Sequence, residues 1–334
     1  MRCVFDQRQL AHAPEVELHN GGFVPYAEDG GRVASILDAI GATEPASDHG
    51  EDPLLAVHSG EYLDFLKQAY AAWRAAGREG DAMGYAWPVR GRRALDLERI
   101  DAKLGRFSFD TATPIAAGTW ESAYWSAQTA LTALDLVHAG GQAAFALCRP
   151  PGHHAGSDYL GGYCHINSAA VAAQAARTAG RSRVAVLDID YHHGNGTQDI
   201  FYDRDDVFFA SIHADPRTDY PFFWGHADER GEGDGEGATL NLPLPRGTSL
   251  AGYERALETA LEAISDFGPD QLVLSYGADT YEGDPISQFR LSTGDFTRIA
   301  GRIAELGVPT LIVMEGGYAV DALGANVAAF LSGF

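Results

Sequence analysis

The 334-residue chain carries 46 Asp and Glu against 24 Lys and Arg, a formal net charge of −22. So acidic a balance argues against a nucleic-acid partner, because phosphate backbones are held by basic surfaces; it suits long-range steering of a cationic ligand, or solubility alone. No apolar run approaches the about 20 residues that cross a bilayer, no signal-like segment precedes the first strand, and three cysteines form no even disulfide framework, so a reducing, cytoplasmic setting without membrane contact is expected.

In chain order, Cys3 sits in a first apolar strand run. A long stretch from Trp73 to Ala117 follows, with Gly, Arg and Pro, including Pro88-Val89-Arg90-Gly91-Arg92-Arg93. The basic run at 90–93 reads as a solvated loop or a subunit contact. Beyond it the pattern is regular. Helices are predicted near 119–139, 165–179, 250–266, 295–306 and 321–331. Strands are predicted near 143–148, 184–189, 207–212, 271–276 and 310–315. This alternation implies an α/β fold with a central, mostly parallel β-sheet covered by helices on both faces. No composition break, linker or internal repeat divides it, so a single domain is expected.

Polar clusters follow four of the strands, where open α/β sheets place their ligands. Arg149-Pro150-Pro151-Gly152-His153-His154-Ala155 comes first. Its prolines and glycine fix an irregular loop, on which both histidines can aim at one point, whereas in a strand they would face opposite ways. Taken alone it could be a wet surface loop. After the run Val184–Leu187 come Asp188, Asp190, His192 and His193, then Asn195. With period two, Asp188, Asp190 and His192 share a side, and carboxylate with imidazole can hold one divalent ion; a pair of helix caps is the blander alternative. Gly277-Ala278-Asp279-Thr280 and Gly283-Asp284-Pro285 follow the fourth strand, and Glu315-Gly316-Gly317-Tyr318 the fifth. Asp279 could be a third ligand. Tyr318, exposed by a glycine pair, could donate its O–H to a developing oxyanion. Cys164 lies near these clusters but in no Cys-His nucleophile arrangement.

Together the segments RPPGHHA (149–155), GGYCHINSAAVAAQ (161–174), DIDYHHGNGTQDIFY (188–202), FFASIHADP (208–216), GADTYEGDPIS (277–287) and MEGGY (314–318) resemble the histone deacetylase and acetylpolyamine amidohydrolase superfamily, with its arginase-deacetylase fold. The likeness spans nearly the whole chain. It is strongest to the bacterial acetylpolyamine amidohydrolases, which also have a long stretch before residue 118. A ureohydrolase would need a two-metal, more Asp-rich set. A catalytically silent binding module would lack a ligand, a paired histidine or the tyrosine, and none is missing.

The resemblance implies a Zn²⁺-dependent amidohydrolase that frees acetate and an amine from acetylated polyamines or related acetylated amines. The alternative is a broader deacetylase of acetyl-lysine in peptides, proteins or small metabolites. Asp190, His192 and Asp279 would bind the catalytic ion; oxygen-rich ligands also admit Fe²⁺ or Mn²⁺. His154 would be base and then acid, oriented by Asn195, which lacks the charge with which an Asp would raise its pKa. His153 would be its electrostatic partner, oriented by Asp188, with Tyr318 as oxyanion donor. Asp188 and Ser211, with backbone carbonyls of Asp190, His192 and Ile212, would bind a structural K⁺; a second monovalent site would lie near Phe201, Arg204 and Val207. Tyr163 and Tyr220 would line the substrate tunnel, with Gly161 and Gly162 letting the backbone come close. The stretch 73–117 would pack on a second subunit of a homodimer and narrow the tunnel mouth. Of its acids Asp96, Glu98, Asp101 and Asp110, the resemblance selects Asp101 to grip a distal ammonium; a second acidic position falls on Ala112.

Overall fold

The computed structural model describes residues 1–89 and 96–334; the basic run at 90–93 lies outside the described residues. The elements run β1 (Arg2–Val4), β2 (Val16–His19), β3 (Gly22–Pro25), α1 (Gly31–Ile40), α2 (Asp52–Leu55), α3 (Gly60–Ala75), α4 (Ile100–Phe107), α5 (Thr119–His138) and β4 (Ala143–Ala146). Then come α6 (Ser168–Thr178), β5 (Val184–Asp188), α7 (Asn195–Phe201), β6 (Val207–Ala214), β7 (Thr239–Leu244), α8 (Leu250–Phe267), β8 (Gln271–Tyr276), α9 (Thr293–Ala304), β9 (Thr310–Met314) and α10 (Val320–Leu331).

Seven strands form one sheet in the order β1-β4-β9-β8-β5-β6-β7, every ladder parallel. A parallel sheet needs helical crossovers, and these cover both faces. The period-two alternation divides the core accordingly. In β5, Ala185 and Leu187 pack with α8, α9 and α10 on one face, while Val184 and Val186 pack with α5 and α6 on the other. Burying such side chains contributes about 1.5–3 kcal/mol each, so the strand ends stand on a rigid base. The strands read from sequence match within a few residues; β7 escaped because Thr239–Leu244 contains Pro243 and sits at the sheet edge, where proline is tolerated.

Local chemistry sets the helix starts. Asn167 accepts from the Ala170 N–H at 2.9 Å and caps α6, which therefore begins at Ser168 rather than 165. The same side chain donates to the Ala155 carbonyl and to Thr197, both at 3.0 Å. One residue thus ties α6 to the histidine loop and to α7. Ser292 and Asp295 form a reciprocal cap on α9. The stretch 73–117 contributes the end of α3, then α4, and is anchored by Ala82 pairing with Ile115 and Ser108 with Leu160.

Candidate active site

β4, β5, β8 and β9 are adjacent in the sheet, and the chain after each turns into the same pocket. Asp190 and His192 leave the end of β5, and Asp279 follows β8. One ligand atom from each lies within 4.8 Å of the others. His192 Nδ1 is 3.0 Å from Asp279 Oδ2 and 3.3 Å from Asp190 Oδ1. The remaining lone pairs are fixed by backbone. Asp190 accepts from the His192 and Gly316 N–H groups, both at 2.8 Å, and Asp279 from the Tyr191 N–H at 2.9 Å. Burial, reinforced by the Asp190 charge, pushes the Asp279 carboxyl up to about 7. Burial also opposes ionisation of Asp190, but the charges of His153 and His192 hold it well below the usual carboxylate range. Two facing, buried carboxylates with one imidazole form a hard donor set whose mutual repulsion a cation would relieve. They fit a divalent metal ion.

His153 and His154 stand beside these residues, their ring centroids 4.0 Å apart. His153 Nδ1 lies 2.9 Å from Asp188, and His154 Nδ1 lies 2.7 Å from the Asn195 carbonyl oxygen. Burial alone would lower the His153 pKa; the charges of Asp188 and Asp190 overcome it and raise it to about 10. His154 has no carboxylate on its ring. Burial, then the charges of His153 and His192, hold it well below 6.5. The pair therefore divides into one imidazolium and one neutral imidazole.

Tyr318 closes the pocket from the chain after β9. Its ring lies 5.5 Å from that of Tyr163, and it is 9% exposed. Burial raises its phenol well above 10, so it remains a donor at neutral pH. Three side chains fix this segment that sequence reading did not assign. Glu315 accepts from the Gly152 and His153 N–H groups at 2.7 and 3.1 Å, joining the tyrosine segment to the histidine loop. Arg32, from α1, donates to the carbonyls of Gly317 and Glu315 and pairs with Glu28 at 2.7 Å. Asp284 accepts from Tyr318 and Ala319 N–H groups. Glu315 and Asp284 stood within quoted motifs; nothing local in the sequence marks Glu28 or Arg32, whose roles arise from contacts 121 residues away (Glu28 with Arg149) and 285 residues away (Arg32 with Gly317).

Gly162, Tyr163 and Tyr220 surround the pocket's outer side. Gly162 (φ +55°) has its backbone against the His154 ring. The Tyr220 ring is 5.2 Å from that of His154. Tyr163 donates to Glu17 at 3.1 Å. Asp110 accepts from both the Gly162 N–H and the Tyr220 hydroxyl at 2.7 Å, bracing two walls. Asp101 differs from expectation. It is 7% exposed and bound by Arg78 and Arg99 at 2.8 and 2.6 Å, so within its own chain the carboxylate is already matched by two cations rather than free for an ammonium. Asp96 and Glu98 are exposed, and Ala112 packs partly buried beside Tyr26, Tyr163 and Tyr318.

Ser211 stands opposite Asp188 in the β5–β6 ladder, with its hydroxyl 2.8 Å from His213 Nδ1, and Ile212 is next to it in the core. Arg204 ion-pairs with Asp206, and its backbone N–H donates to the Phe201 carbonyl. His213 is thereby placed under the Gly225 carbonyl, and Trp224 against Phe109 and Tyr159. Burial keeps the Cys164 thiol protonated, in line with no nucleophilic role.

Comparisons with known proteins agree with this geometry. The histone deacetylase domain matches residues 27–334. The chain is 50% identical to acetylpolyamine amidohydrolase 1 of Pseudomonas aeruginosa, over all of this chain and 99% of that protein. It is 45% identical to the acetylpolyamine amidohydrolase of Mycoplana ramosa, over 100% and 99%. The crystal structure of acetylpolyamine aminohydrolase from Burkholderia pseudomallei superposes with a TM-score of 0.96 at 43% identity, covering 100% of this chain and 98% of that one. With these strand-end clusters on this sheet, the chain belongs to the histone deacetylase family.

Proposed function

We propose that this protein is a metal-dependent amidohydrolase that removes acetyl groups from acetylated polyamines, releasing acetate and the free amine. One observation carries the reading: a buried three-ligand set, an imidazolium–imidazole pair and a phenol converge on one pocket. Asp190, His192 and Asp279 would hold the ion, Zn²⁺ first and Fe²⁺ or Mn²⁺ as harder alternatives. Bound there, it would polarise the acetyl carbonyl and acidify water.

The chain's own residues supply the rest. Neutral His154 takes a proton from the attacking water and returns it to the amine nitrogen as the C–N bond breaks. Asn195 orients that ring. His153, kept charged by Asp188, stabilises negative charge as it grows on the acetyl oxygen. Tyr318 donates to the same oxygen. Tyr163, Tyr220 and the Gly162 backbone guide the alkyl chain, whose ammonium is attracted by aromatic faces and by the net charge of −22. Asp188 and Ser211, with carbonyls of Asp190, His192 and Ile212, would hold a structural K⁺, and Phe201, Arg204 and Val207 a second monovalent ion. The chain would act as one catalytic unit with 73–117 inserted, as a cytoplasmic homodimer whose inserted stretch narrows the partner's tunnel. The polyamine assignment draws on the names of the relatives from Pseudomonas aeruginosa and Mycoplana ramosa.

A second reading, a broader deacetylase of acetyl-lysine substrates, is favoured by the double arginine pairing of Asp101. Acetate release from acetylputrescine, acetylcadaverine, acetylspermidine and an acetyl-lysine peptide separates the two. Preference for the small cationic amides is expected. Equal rates on the peptide would favour the second reading, and no acetate from any would remove both. Light scattering at high dilution, read with activity, tests the dimer.

A further inference from the structure

We infer that Asp284 is a positioning residue for Tyr318, holding the phenol on the reacting oxygen through the tyrosine's own backbone; the inference rests on the reading of Tyr318 as oxyanion donor. Tyr318 follows Gly316 and Gly317, and Gly317 has φ +130°. A glycine pair lets the chain turn there, but contributes no side chain to hold the turn. Its rigidity must come from outside. On one side Arg32 takes the carbonyls of Glu315 and Gly317, and Asp190 takes the Gly316 N–H. These hydrogen bonds stop one residue short of the tyrosine; beyond them the Arg32 guanidinium meets only the face of the Tyr318 ring, 5.1 Å from its centroid.

Asp284 supplies the missing hold. Its Oδ2 accepts from the Tyr318 N–H at 2.7 Å and the Ala319 N–H at 3.2 Å. Its Oδ1 accepts from the Ile286 N–H at 3.1 Å. All three partners are donors, so the arrangement calls for an ionised carboxylate, whose bonds are stronger than neutral ones. The side chain is 7% exposed; removing it would strand backbone N–H groups with poor access to water. Asp284 is also close in sequence to the ligand Asp279, and Ser287 bonds the Asp279 carbonyl. One short loop thus carries a metal-ligand carboxylate at one end and the brace of the oxyanion donor at the other. The distance between donor and ligand set is thereby fixed by this loop.

Tyr318 moves with its backbone. A displacement on the order of 1 Å at a reacting group costs about a hundredfold in turnover, so a partial loss of the hold should be read in kcat. The experiment compares Asp284→Ala and Asp284→Asn, each alone and combined with Tyr318→Phe, on the acetyl amide the wild type cleaves fastest. For Asp284→Ala we expect kcat to fall about tenfold or more, with KM and bound metal unchanged. Asp284→Asn should recover most of that loss, because one carbonyl oxygen can take both the Tyr318 and Ala319 N–H groups. In the Tyr318→Phe background Asp284→Ala should cost nothing further. An equal loss with and without the tyrosine hydroxyl, or a loss accompanied by depleted metal, overturns the proposal. Should Asp284→Ala not fold, the same cycle is read with Asp284→Ser. If Tyr318→Phe itself keeps full turnover, the oxyanion reading fails instead. The crystal structure of Asp284→Ala then decides the hold alone: a displaced Tyr318 supports it, and an unmoved one refutes it.

Discussion

Replacing Gly162 by alanine should damage catalysis more than stability. A Cβ on Gly162 would sit 2.1 Å from His154 Cδ2, 2.6 Å from Cγ and 2.9 Å from Nε2, where ordinary contact begins near 3.4 Å. The obstacle is a buried ring tied to Asn195 at 2.7 Å, not the loose end of a flexible side chain. Either the ring or the Gly162 backbone must therefore give by roughly 1 Å, and a shift of that size costs about 10² in turnover, or about 2.7 kcal/mol of transition-state stabilisation. The left-handed backbone adds about 1–2 kcal/mol of folding cost. Gly268→Ala is the control: its φ is +65° and its only near contact is ordinary, at the far end of α8. It should lose a similar amount of Tm and keep its kcat. The assay is steady-state acetate release, with metal content and Tm on both variants. If Gly162→Ala turns over within twofold of wild type at full metal occupancy, His154 is not the base, or the ring has room the structure does not give it.

Tyr318→Phe should fold normally and lose about a hundredfold or more in kcat, the usual result of removing an oxyanion donor; near-native turnover would assign that task elsewhere. Asp279→Ala should lose both activity and the bound divalent ion by elemental analysis, and unchanged metal content would remove Asp279 from the ligand set. Three buried histidines should work against the native state as pH falls below 6.5. Burial lowers His58, His165 and His213 from 6.5 to about 4, so at these three positions the unfolded chain binds more protons than the native one in this window, while the carboxyls of Asp279 and Glu315, raised to about 7, act in the opposite direction. The three histidines cost nothing above pH 6.5 and destabilise the native state as pH falls toward 4, at up to about 4 kcal/mol per unit for the three together. His58→Gln should flatten the dependence of Tm on pH over this range, and an unchanged slope would mean His58 is not part of it.

The strands and the strand-end clusters were legible in the sequence because both obey local rules. A fully buried parallel strand is a short apolar run, and Val184–Asp188 or Thr310–Met314 can be nothing else between two helical patterns. The ligands fall within a few residues of such runs, so strand ends predict their place. Their supports did not follow from local rules. Arg32 and Glu315 meet through sheet order and helix packing, which period and propensity do not encode. Asp110 was visible only as one acid among four; its bonds to Gly162 and Tyr220 depend on how the stretch 96–117 folds back over the pocket. The pairing of Asp101 was hidden for the same reason: sequence position says nothing about Arg78 and Arg99 reaching it. Arg78 lies just beyond the end of α3 and Arg99 just before α4.

His153 and His154 share a loop and are both buried, yet the proposed mechanism needs them in opposite protonation states. The difference lies in what each Nδ1 meets. Asp188 is the last residue of β5, held in register between β6 and β8, and its carboxylate accepts from the Asp190 N–H at 3.1 Å through one oxygen while the other meets His153. Asn195 opens α7 and presents a carbonyl oxygen of the same reach but no charge. A carboxylate in its place would stabilise a second imidazolium beside the first, about 4 Å away ring to ring, and the base would then already hold the proton it must take. The charge on His153 also works on its neighbour directly, since in a poorly solvated pocket like charges repel strongly. Burial first, and this imidazolium second, keep the His154 imidazole neutral. The amide at 195 is thus the electrostatic counterpart of the acid at 188, and in the proposed mechanism the pair would assign the two histidines their tasks before any substrate arrives.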